Sequence, residues 1–549
     1  MPSWLKDTRP VLGNVALRWL MLSWGLWVTT EWAVLIGLSV VAFDIGGAIA
    51  VGLVGAARVL PAAVLGPFAS LVTDRLPRPQ VAAGVHASWC LSALALAWVA
   101  AAGAPLGMLL AVTGLGAVSA SVFKACVNAL LQQLVRDTRE LVAANSAYSA
   151  VEAAGTVAGP LLAGLLLATL APTGTFLGMA VLFIGGAAAS LAICTDSQPA
   201  RVIQARRRSI LTESLRGFIV LVQPGTRLVF ALFTAQSLMR GLVNVFVVVL
   251  ALEGADGDTT TASLFAAIGV GGLIGAMATF GAGGGDKAVR RFAVGVSLWG
   301  APVLVIGVWS TPEVAWWALL VLGLGNAVED VYGYTVLNRL VPDHVAGRAF
   351  GAFQSSAAAA VALGSLCAPL LISSMGLASS MVATGAALSV APLLLWPWLR
   401  TVNPLAGVDH ADLDLLRGVP ILSPMSALGI EHLARSARRV DIQQGETVVR
   451  QGEAGDGFFV VVSGEFTVSQ DGRELRRLGP DDSFGEIALL DVVPRTATVT
   501  AAERCQLLCI DTASFVAAVT GHRSAALAAR ATVDDWRTAD SARISRDAE

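Results

Sequence analysis

Charged side chains are scarce in this chain of 549 residues, since Asp, Glu, Lys and Arg together make up only 14% of it. Soluble domains carry about 25% charged and about 45–50% apolar residues. Here 55% of the residues are hydrophobic, and the mean hydropathy is +0.70. The shortage of charge excludes a wholly soluble protein and predicts that most of the chain lies in a lipid bilayer.

Potential metal ligands are also few, with 6 cysteines and 5 histidines in the whole chain. The histidines show no ligand spacing, and Cys505 and Cys509 lie on one predicted strand, where core packing explains them. We therefore expect no metal, no cofactor and no catalytic residues, so the chain is not expected to be an enzyme. No small-residue cleavage site follows a short apolar run near the N-terminus, which argues against a cleaved signal peptide.

Long apolar runs fill the chain up to residue 400, and beyond that point charge is dispersed and the runs shrink to strand length. A membrane span needs about 20 apolar residues. The runs predict an all-α polytopic membrane domain with about twelve spans. These predicted spans are 12–42, 48–72, 79–103, 106–134, 142–170, 174–195, 227–252, 260–283, 289–310, 313–340, 346–374 and 378–399.

Arginine and lysine are confined to alternate connections between the predicted spans. The basic connections carry Lys6, Arg9, Arg75, Arg78, Arg136, Arg139, Arg201, Arg206, Arg207, Arg208, Arg216, Lys287, Arg290, Arg291, Arg348 and Arg400. The other connections carry no Lys or Arg, only acids such as Asp44 and Glu313. Because basic loops stay in the cytoplasm, we expect a multi-pass plasma-membrane protein. Both of its termini, and everything after Arg400, are expected to be cytoplasmic.

The two halves of the apolar region resemble each other. Leu-Gln-Gln-Leu-Val-Arg-Asp at 131–137 is echoed by Leu-Asn-Arg-Leu-Val-Pro-Asp at 337–343, and Gly-Pro-Leu-Leu at 159–162 by Ala-Pro-Leu-Leu at 368–371. A parallel repeat of two six-helix bundles is one known transporter plan. The predicted organisation is a membrane domain over 1–402 with halves at about 1–195 and 227–400 and a cytoplasmic loop 196–226, then a linker 403–412, a second domain 413–537 and a flexible tail 538–549.

The connection between the second and third spans reads Ser-Leu-Val-Thr-Asp-Arg-Leu-Pro-Arg-Pro at 70–79. It resembles the loop signature of the major facilitator superfamily, Gly-x-x-x-Asp-Arg-x-Gly-Arg-Arg. The matching residues are Asp74, Arg75 and Arg78, and the departures are Ser70, Pro77 and Pro79. The segment 134–160 looks like the drug- and siderophore-exporter branch of that superfamily.

The resemblance implies a carrier in which Asp74, Arg75 and Arg78 form a cytoplasmic charge cluster that gates the transporter. Such a cluster would hold the two halves together, and breaking it would favour the inward-open state. The alternative left open is that the two arginines serve only to orient the chain in the membrane.

Several charged residues fall inside the predicted spans, where a charge costs about 2.5–3.5 kcal/mol at the bilayer centre. The first bundle contains Glu31, Arg58, Lys124 and Glu152, and the second contains Arg240, Glu329 and Asp330. The acids can pair with the basic residues of the same bundle, or they can bind and release protons and so couple transport to a proton gradient. Both uses fit a set of side chains that faces a central polar cavity.

Glycines cluster at 269–275, within an apolar span. The run lacks a Lys-Ser/Thr ending and follows no strand, so close packing of helices explains it better than phosphate binding. No ATP-hydrolysing motif is visible elsewhere, which favours a secondary carrier over an ATP-driven pump.

Beyond residue 413 the sequence changes to short helices and then to many short strands separated by glycine turns. This pattern predicts a small antiparallel β-barrel or jelly roll with flanking helices. Phe-Gly-Glu-Ile-Ala-Leu-Leu at 484–490, followed by Pro-Arg-Thr-Ala-Thr-Val at 494–499, resembles the phosphate-binding cassette of cyclic-nucleotide-binding domains. The resemblance covers the whole of 413–520.

The resemblance implies a nucleotide site formed by Phe484, Gly485, Glu486, Ile487, Ala488, Arg495, Thr496 and Ala497. The planar guanidinium of Arg495 matches the oxygens of a cyclic phosphate, and Gly485 lets the backbone approach closely. Glu486 accepts a hydrogen bond from the ribose 2′-hydroxyl, and Thr496 can contact the phosphate or a guanine base. These residues favour cAMP and leave cGMP open.

Two further features of this domain have alternative explanations. Leu478, Phe484 and Val499 either line the base pocket or belong to the barrel core. The region 524–537 is expected to form a helix that caps the base, with Trp536 or Arg530 as candidate capping residues.

Together the two resemblances imply a proton-coupled exporter of small amphipathic molecules that a cytoplasmic cyclic nucleotide regulates. The expected partners are the lipid bilayer, the nucleotide and a small-molecule substrate, with no nucleic acid. One alternative is a transport-inactive membrane sensor that reports the nucleotide level to a partner protein, although the charges retained inside the spans argue against it. Another is a nucleotide-responsive channel, but the chain has no pore-helix and filter segment.

Overall fold

The structure of the protein is a computed structural model. It describes residues 13–65, 77–135, 138–193, 217–252, 257–279, 287–341, 343–402, 409–422, 425, 427–490, 493–512 and 514–516. The chain divides into two compact units. The first unit comprises Met1–Asn338 with Gly347–Val402, and the second comprises Arg339–Ala346 with Asn403–Glu549.

Four long helices make up the first half of the first unit. They are α1 (Val15–Leu65), α2 (Arg78–Ala102), α3 (Leu106–Leu134) and α4 (Thr138–Leu191). Helix α1 leaves helical geometry at Gly46 and Gly47, where Gly47 has a φ of 57°. Helix α4 does so at Ala171, where φ is 56°. All four helices are long and apolar enough to cross a bilayer. Each of the two kinked helices has about twice the length that one crossing needs, so each has room for two of the predicted spans.

The second half contains α5 (Arg227–Leu252), α6 (Gly257–Thr279), α7 (Ala288–Val308), α8 (Pro312–Leu340), α9 (Asp343–Met375), α10 (Leu377–Leu394) and the short α11 (Trp396–Leu399). All of these except α11 are long and apolar enough to cross a bilayer. With the first half they give 10 such helices over the described residues. This confirms the predicted all-α membrane fold, and the two kinked helices accommodate the twelve spans predicted from the sequence. The bounds of α3 and α5 coincide with the predicted spans 106–134 and 227–252.

Large apolar side chains cover the outside of these helices. The side chains of Leu91, Leu115 and Val181 are 68%, 75% and 66% exposed. Soluble proteins rarely leave extended apolar surfaces uncovered, so exposure along helices of this length is typical of surfaces that face lipid.

The glycine run in α6 packs against α8, as the sequence predicts. A Cβ atom on Gly275 would lie 2.8 Å from the Cβ of Ala327, and one on Gly271 would collide with the carbonyl oxygen of Leu320. Small residues at such positions let two helix backbones approach closely. Glycine here serves the packing of the bundle.

The second unit begins its globular part with two short helices, α12 (His410–Gly418) and α13 (Ala427–Ser436), separated by a 3₁₀ turn at Pro420–Leu422. Eight strands follow: β1 (Arg438–Ile442), β2 (Thr447–Val449), β3 (Gly457–Ser463), β4 (Phe466–Gln470), β5 (Arg473–Leu478), β6 (Ser483–Phe484), β7 (Thr498–Ala501) and β8 (Cys505–Asp511). A five-residue helix, α14 (Glu486–Leu490), lies between β6 and β7.

The strands form two four-stranded antiparallel sheets, with the orders β1-β8-β3-β6 and β2-β7-β4-β5. This arrangement confirms the predicted jelly roll. Its interior has two apolar cores. One joins the helices to the first sheet and includes Leu433, Phe458 and Leu489. The other lies among the strands and includes Phe466 and Phe484.

Candidate functional site

The end of strand β6 and the start of α14 form a tight cradle around one arginine. Gly485 has a φ of 97°, a backbone conformation that favours glycine. A Cβ atom at this position would lie 2.7 Å from Nη1 of Arg495 and 2.9 Å from the carbonyl oxygen of Gly457. The space beside Gly485 is therefore occupied by the guanidinium of Arg495, and no larger residue fits.

Arg495 is buried and ties three segments of the domain together. Its Nη1 donates to the carbonyl oxygen of Gly485 at 2.8 Å, and its Nη2 donates to the carbonyl oxygen of Gly457 and to Oδ1 of Asp456, both at 2.8 Å. The guanidinium lies 5.6 Å from the centre of the Phe459 ring. A guanidinium has more N–H groups than these three bonds use, so Arg495 is held in a fixed orientation with donors remaining for an anion.

Asp456 is the exposed end of this arrangement. Its side chain is 83% exposed, whereas that of Arg495 is 3% exposed. Burial, followed by the negative charge of Asp456, raises the pKa of the nearby Cys509 thiol to about 11. Cys509 is therefore a neutral thiol near neutral pH.

The predicted nucleotide-site residues lie next to the cradle along the chain, and they differ in how deeply they are buried. Phe484 is buried and stacks on Phe459 with a centroid distance of 5.1 Å. Glu486, the first residue of α14, is 2% exposed and Ala488 is 6% exposed, while Ile487 is half-buried. Thr496 is exposed and Ala497 is half-buried. The residues that reach the surface beside Arg495 are therefore few, with Thr496 among them.

Whether the three apolar residues line the base pocket or belong to the barrel core can be judged from their burial. Leu478, Phe484 and Val499 are 3%, 4% and 4% exposed and share one core cluster, which favours barrel core over base pocket. The candidate capping residues Trp536 and Arg530 lie outside the described residues.

In the membrane part, the charged residues of the first bundle form two ion pairs. Nη2 of Arg58 donates to Oε1 of Glu31 at 3.1 Å. Nζ of Lys124 lies 3.5 Å from Oε1 of Glu152. Both pairings are those expected from the sequence, and they compensate charges that would otherwise stand alone in an apolar helix.

In the second bundle Arg240 reaches the acids through an asparagine. Its Nη2 donates to Oδ1 of Asn326 at 2.7 Å, and Nδ2 of Asn326 donates to Oδ2 of Asp330 at 3.2 Å. The guanidinium also lies 5.3 Å from the centre of the buried Trp299 ring. The expected direct pairing of Arg240 with an acid is thus replaced by a relay through Asn326.

Glu329 and Asp330 are adjacent in sequence but differ in surroundings. Glu329 is 0% exposed, and among the described residues neither of its carboxylate oxygens makes a hydrogen bond of normal geometry, although the side chain of Trp299 interacts with it. Asp330 interacts electrostatically with Lys124 and Glu152 of the first bundle.

The two halves touch at the end of the helices that lies away from the Lys- and Arg-bearing connections. A Cβ atom on Gly52 would lie 2.8 Å from Cγ of Pro369, and one on Gly164 would lie 2.6 Å from the Cβ of Ala262. We call these two pairs the glycine contacts. Arg58 lines a small cavity near them, together with Ser39, Asn244 and Ser365.

The predicted gating loop is only partly visible. Asp74 and Arg75 lie outside the described residues. Arg78 begins α2, and its Nη1 donates to Oε1 of Gln133 at 3.0 Å. The gating role of the three residues stays a prediction.

Comparison with known proteins identifies the membrane part. Residues 20–358 match the family described as Major Facilitator Superfamily. The chain belongs to the Major Facilitator Superfamily. The fold of this superfamily member resembles the crystal structure of a mutant of the nucleoside transporter NupG with a TM-score of 0.59, at 12% identity, over 70% of this chain and 100% of that one.

The second unit of this superfamily member matches another family. Residues 439–522 match the cyclic nucleotide-binding domain. The chain is 42% identical over 88 residues to a cAMP-dependent protein kinase regulatory subunit of Yarrowia lipolytica, over 16% of this chain and 24% of that protein. It is 31% identical over 103 residues to a CRP-like cAMP-activated global transcriptional regulator of Mycobacterium tuberculosis, over 18% and 46% respectively. The chain thus spans less than half the length of these curated relatives.

Sequence reasoning missed several residues of both sites. Asp456 and Phe459 hold Arg495, and neither of them was singled out from the sequence. Asn326 connects Arg240 to Asp330 in the membrane. Its signal was its spacing of four residues before an intramembrane acid, which places both side chains on one face of a helix.

Proposed function

We propose that this protein is a secondary active transporter that exports small amphipathic molecules in exchange for protons. A cyclic nucleotide on the cytoplasmic side, preferentially cAMP, regulates its activity. The observation that carries the transport proposal is the set of paired charges inside the membrane helices: Glu31 with Arg58, Glu152 with Lys124, and Asp330 with Arg240 through Asn326. Charges in a bilayer are costly, and where they line a path between helix bundles they mark substrate or ion pathways.

Proton coupling is supported by the surroundings of Glu329. Burial of a charge without compensating partners is costly, so a fully buried carboxyl group that makes no hydrogen bond of normal geometry among the described residues is suited to carry a proton. Asp330, next to it in sequence, interacts with charged residues of both halves. A change in the distance between the halves would therefore change the electrostatic surroundings of the acid pair.

The nucleotide proposal is supported by the cradle around Arg495. A cyclic phosphate carries one negative charge, and arginine presents planar donors that match its oxygens. Gly485 brings the backbone against the guanidinium. Glu486, the next residue along the chain, is the acceptor for a ribose hydroxyl in this proposal. Relatives of this domain carry cAMP in their names, which favours cAMP, while the exposed Thr496 leaves room for a guanine contact.

The test is transport of the amphipathic dye ethidium by the full chain in inverted membrane vesicles, with and without cAMP under an imposed pH gradient. Typical allosteric coupling of about 1–3 kcal/mol predicts that saturating cAMP changes the flux by about five- to 150-fold. Asp330→Asn and Glu329→Gln are expected to reduce proton-driven flux by at least about tenfold, which corresponds to about 1.4 kcal/mol.

Glu313→Gln is the matched control, because Glu313 is an exposed acid in the first turn of the same helix. It is expected to keep the flux of the unmodified protein. Flux that does not change at saturating cAMP would contradict the regulatory proposal. Flux that survives in both α8 variants would contradict the proton proposal.

A further inference from the structure

The short connection between helices α8 and α9 belongs to the second unit. That unit groups Arg339–Ala346 with the globular domain after Asn403. Arg339 is the penultimate residue of α8, and α9 begins at Asp343. The last turn of one membrane helix and the first turn of the next are thus built into the unit that carries the nucleotide cradle.

A buried ion pair holds this connection to helix α13. Nη2 of Arg339 donates to Oε1 of Glu431 at 2.9 Å, and Nε lies 2.8 Å from Oε2. The two side chains are only 11% and 9% exposed. In addition, Nη1 of Arg435, one turn further along α13, donates to the backbone carbonyl oxygen of Arg339.

This pair differs from the other ion pairs of the domain. Arg417 and Asp414 lie 3.2 Å apart on α12, but their side chains are 50% and 76% exposed, and exposed pairs contribute little. Removing one partner of a buried pair is costly because the remaining charge loses compensation, although Arg435 also interacts with Glu431. Arg339 and Glu431 are therefore expected to move together.

The opposite face of α13 packs against the nucleotide cradle. Ile430 and Leu433 of α13 share an apolar core with Leu489 of α14 and Phe458 of β3. Leu489 lies on the helix that follows Gly485, and Phe458 follows Gly457, whose carbonyl accepts from Arg495. Because close-packed cores transmit displacements, a shift of α14 against Arg495 changes the position of α13.

On the membrane side, Arg339 lies on the same helix as the two intramembrane acids. Helix α8 runs without interruption from Pro312 to Leu340. Arg339 follows Glu329 by ten residues on this helix, which is about 15 Å at about 1.5 Å per residue. A displacement of Arg339 along or around the helix axis therefore reaches Glu329 and Asp330 directly.

We infer that the Arg339–Glu431 ion pair is a regulatory latch through which nucleotide occupancy at Arg495 sets the position of helix α8 and of its two intramembrane acids. The inference rests on the proposed function in that a cyclic nucleotide must occupy the cradle. It adds the route along which a displacement passes. The displacement passes from α14 and β3 to α13 through the shared core, and from α13 to Arg339 through the ion pair. From Arg339 it continues to Glu329 along helix α8.

The test uses the purified full chain in lipid nanodiscs and does not depend on the transported substrate. Calorimetry measures cAMP binding, and hydrogen–deuterium exchange measures the protection of residues 331–341 with and without cAMP. The variants are Glu431→Gln, Arg339→Glu and the charge swap Arg339→Glu/Glu431→Arg. Asp414→Asn, which removes the exposed pair on α12, is the matched control.

In the unmodified protein and in the control, cAMP is expected to change exchange in this segment by at least about fivefold, the lower end of typical allosteric coupling. Glu431→Gln and Arg339→Glu are expected to bind cAMP with unchanged affinity and to lose this change. The charge swap is expected to restore it.

The outcomes separate the latch from the proposed function. Absence of cAMP binding in the unmodified protein overturns the nucleotide proposal itself. Binding without any change in the last turns of α8, or a change that persists in Glu431→Gln, overturns the latch and leaves nucleotide binding standing. If the charge swap does not restore the cAMP-dependent change in exchange, the loss in the single variants is due to altered packing. That result also overturns the ion pair as the latch.

Discussion

Arg495 combines two tasks in a single side chain. It joins β3, the end of β6 and the segment before β7 through hydrogen bonds to Gly457, Gly485 and Asp456, and it offers donors to an anion. Because Arg495 both holds the cradle and offers donors to an anion, its replacement changes the shape of the cradle as well as its charge. A variant that keeps the charge is therefore needed for comparison.

Replacement of Arg495 is expected to weaken cAMP binding strongly. Hydrogen bonds to charged groups contribute about 1.5–3 kcal/mol, so Arg495→Ala is expected to raise the dissociation constant for cAMP by about 10- to 100-fold. Arg495→Lys keeps the charge but not the planar fork, and an intermediate loss is expected. Calorimetry with the purified full chain measures both values.

The matched control for Arg495 is Arg504→Ala, which removes an exposed arginine in the turn between β7 and β8. It is expected to leave the affinity unchanged. If Arg495→Ala bound cAMP as tightly as Arg504→Ala, the cradle would not be the phosphate site.

At the level of single residues, the sequence predicts which side chains matter better than it predicts their partners. The intramembrane charges stand out because each is costly in lipid, and the ion pair of Glu31 with Arg58 follows from the small choice of partners in one bundle. The link from Arg240 to Asp330 through Asn326 depends on how α5 and α8 are rotated against each other. Rotation is set by packing, which a single sequence does not show.

At the level of elements, the glycine contacts show how the two halves meet. Gly52 of α1 faces Pro369 of α9, and Gly164 of α4 faces Ala262 of α6. In each pair the missing side chain lets the backbones approach within contact distance. A side chain added at these positions would hold the halves apart.

Gly52→Val is therefore expected to open this end of the membrane domain. Ser39 lines the small cavity near the contacts, so a Ser39→Cys reporter in a chain without its native cysteines should react faster with a membrane-impermeant maleimide when Gly52 is valine. An increase of about tenfold corresponds to about 1.4 kcal/mol of shifted equilibrium. Mass spectrometry of the labelled protein measures the rate.

Gly84→Val is the control for this substitution, because a Cβ atom at Gly84 of α2 would meet nothing within 4 Å. The same labelling rate is expected as in the unmodified reporter. Equal rates in Gly52→Val and Gly84→Val would show that the glycine contacts do not close this end of the protein.

Among the elements, the membrane passes could be predicted from the sequence because apolar runs of bilayer length admit few other structures. The breaks between the passes were predicted as well, since the gaps at 43–47 and 171–173 between the predicted spans contain the kinks of α1 and α4. Gly46 and Gly47 allow the kink in α1, and glycine is a recognisable signal. In α4 the break occurs at Ala171, which precedes Pro172. A residue before proline is disfavoured in the helical region, and that local rule explains the kink once the structure is known.

At the level of the whole molecule, the orientation in the membrane decides whether the proposed regulation can operate. A cyclic nucleotide made in the cytoplasm can reach Arg495 only if the second unit lies on that side. The Lys- and Arg-bearing connections predict this orientation through the positive-inside rule.

An epitope tag after Glu549 is therefore expected to be inaccessible to antibody in intact cells and accessible after permeabilisation. A tag inserted at 253–256, in an acid-bearing connection, should be accessible in intact cells and serves as the control. Immunofluorescence or a surface-labelling assay measures both. The reverse pattern would place the nucleotide domain outside the cell and remove the basis of the regulatory proposal.

The glycine contacts also have a consequence for how the protein responds to its solution. Gly52, Pro369, Gly164 and Ala262 meet through uncharged atoms, so parting them costs dispersion energy, which added electrolyte does not weaken. The Arg339–Glu431 pair, in contrast, is held by opposite charges. Because that pair is buried, added sodium chloride screens it only weakly. Neither the glycine contacts nor the Arg339–Glu431 pair should therefore yield to ionic strength, and a salt-sensitive transport rate would point to the exposed charges of the protein instead.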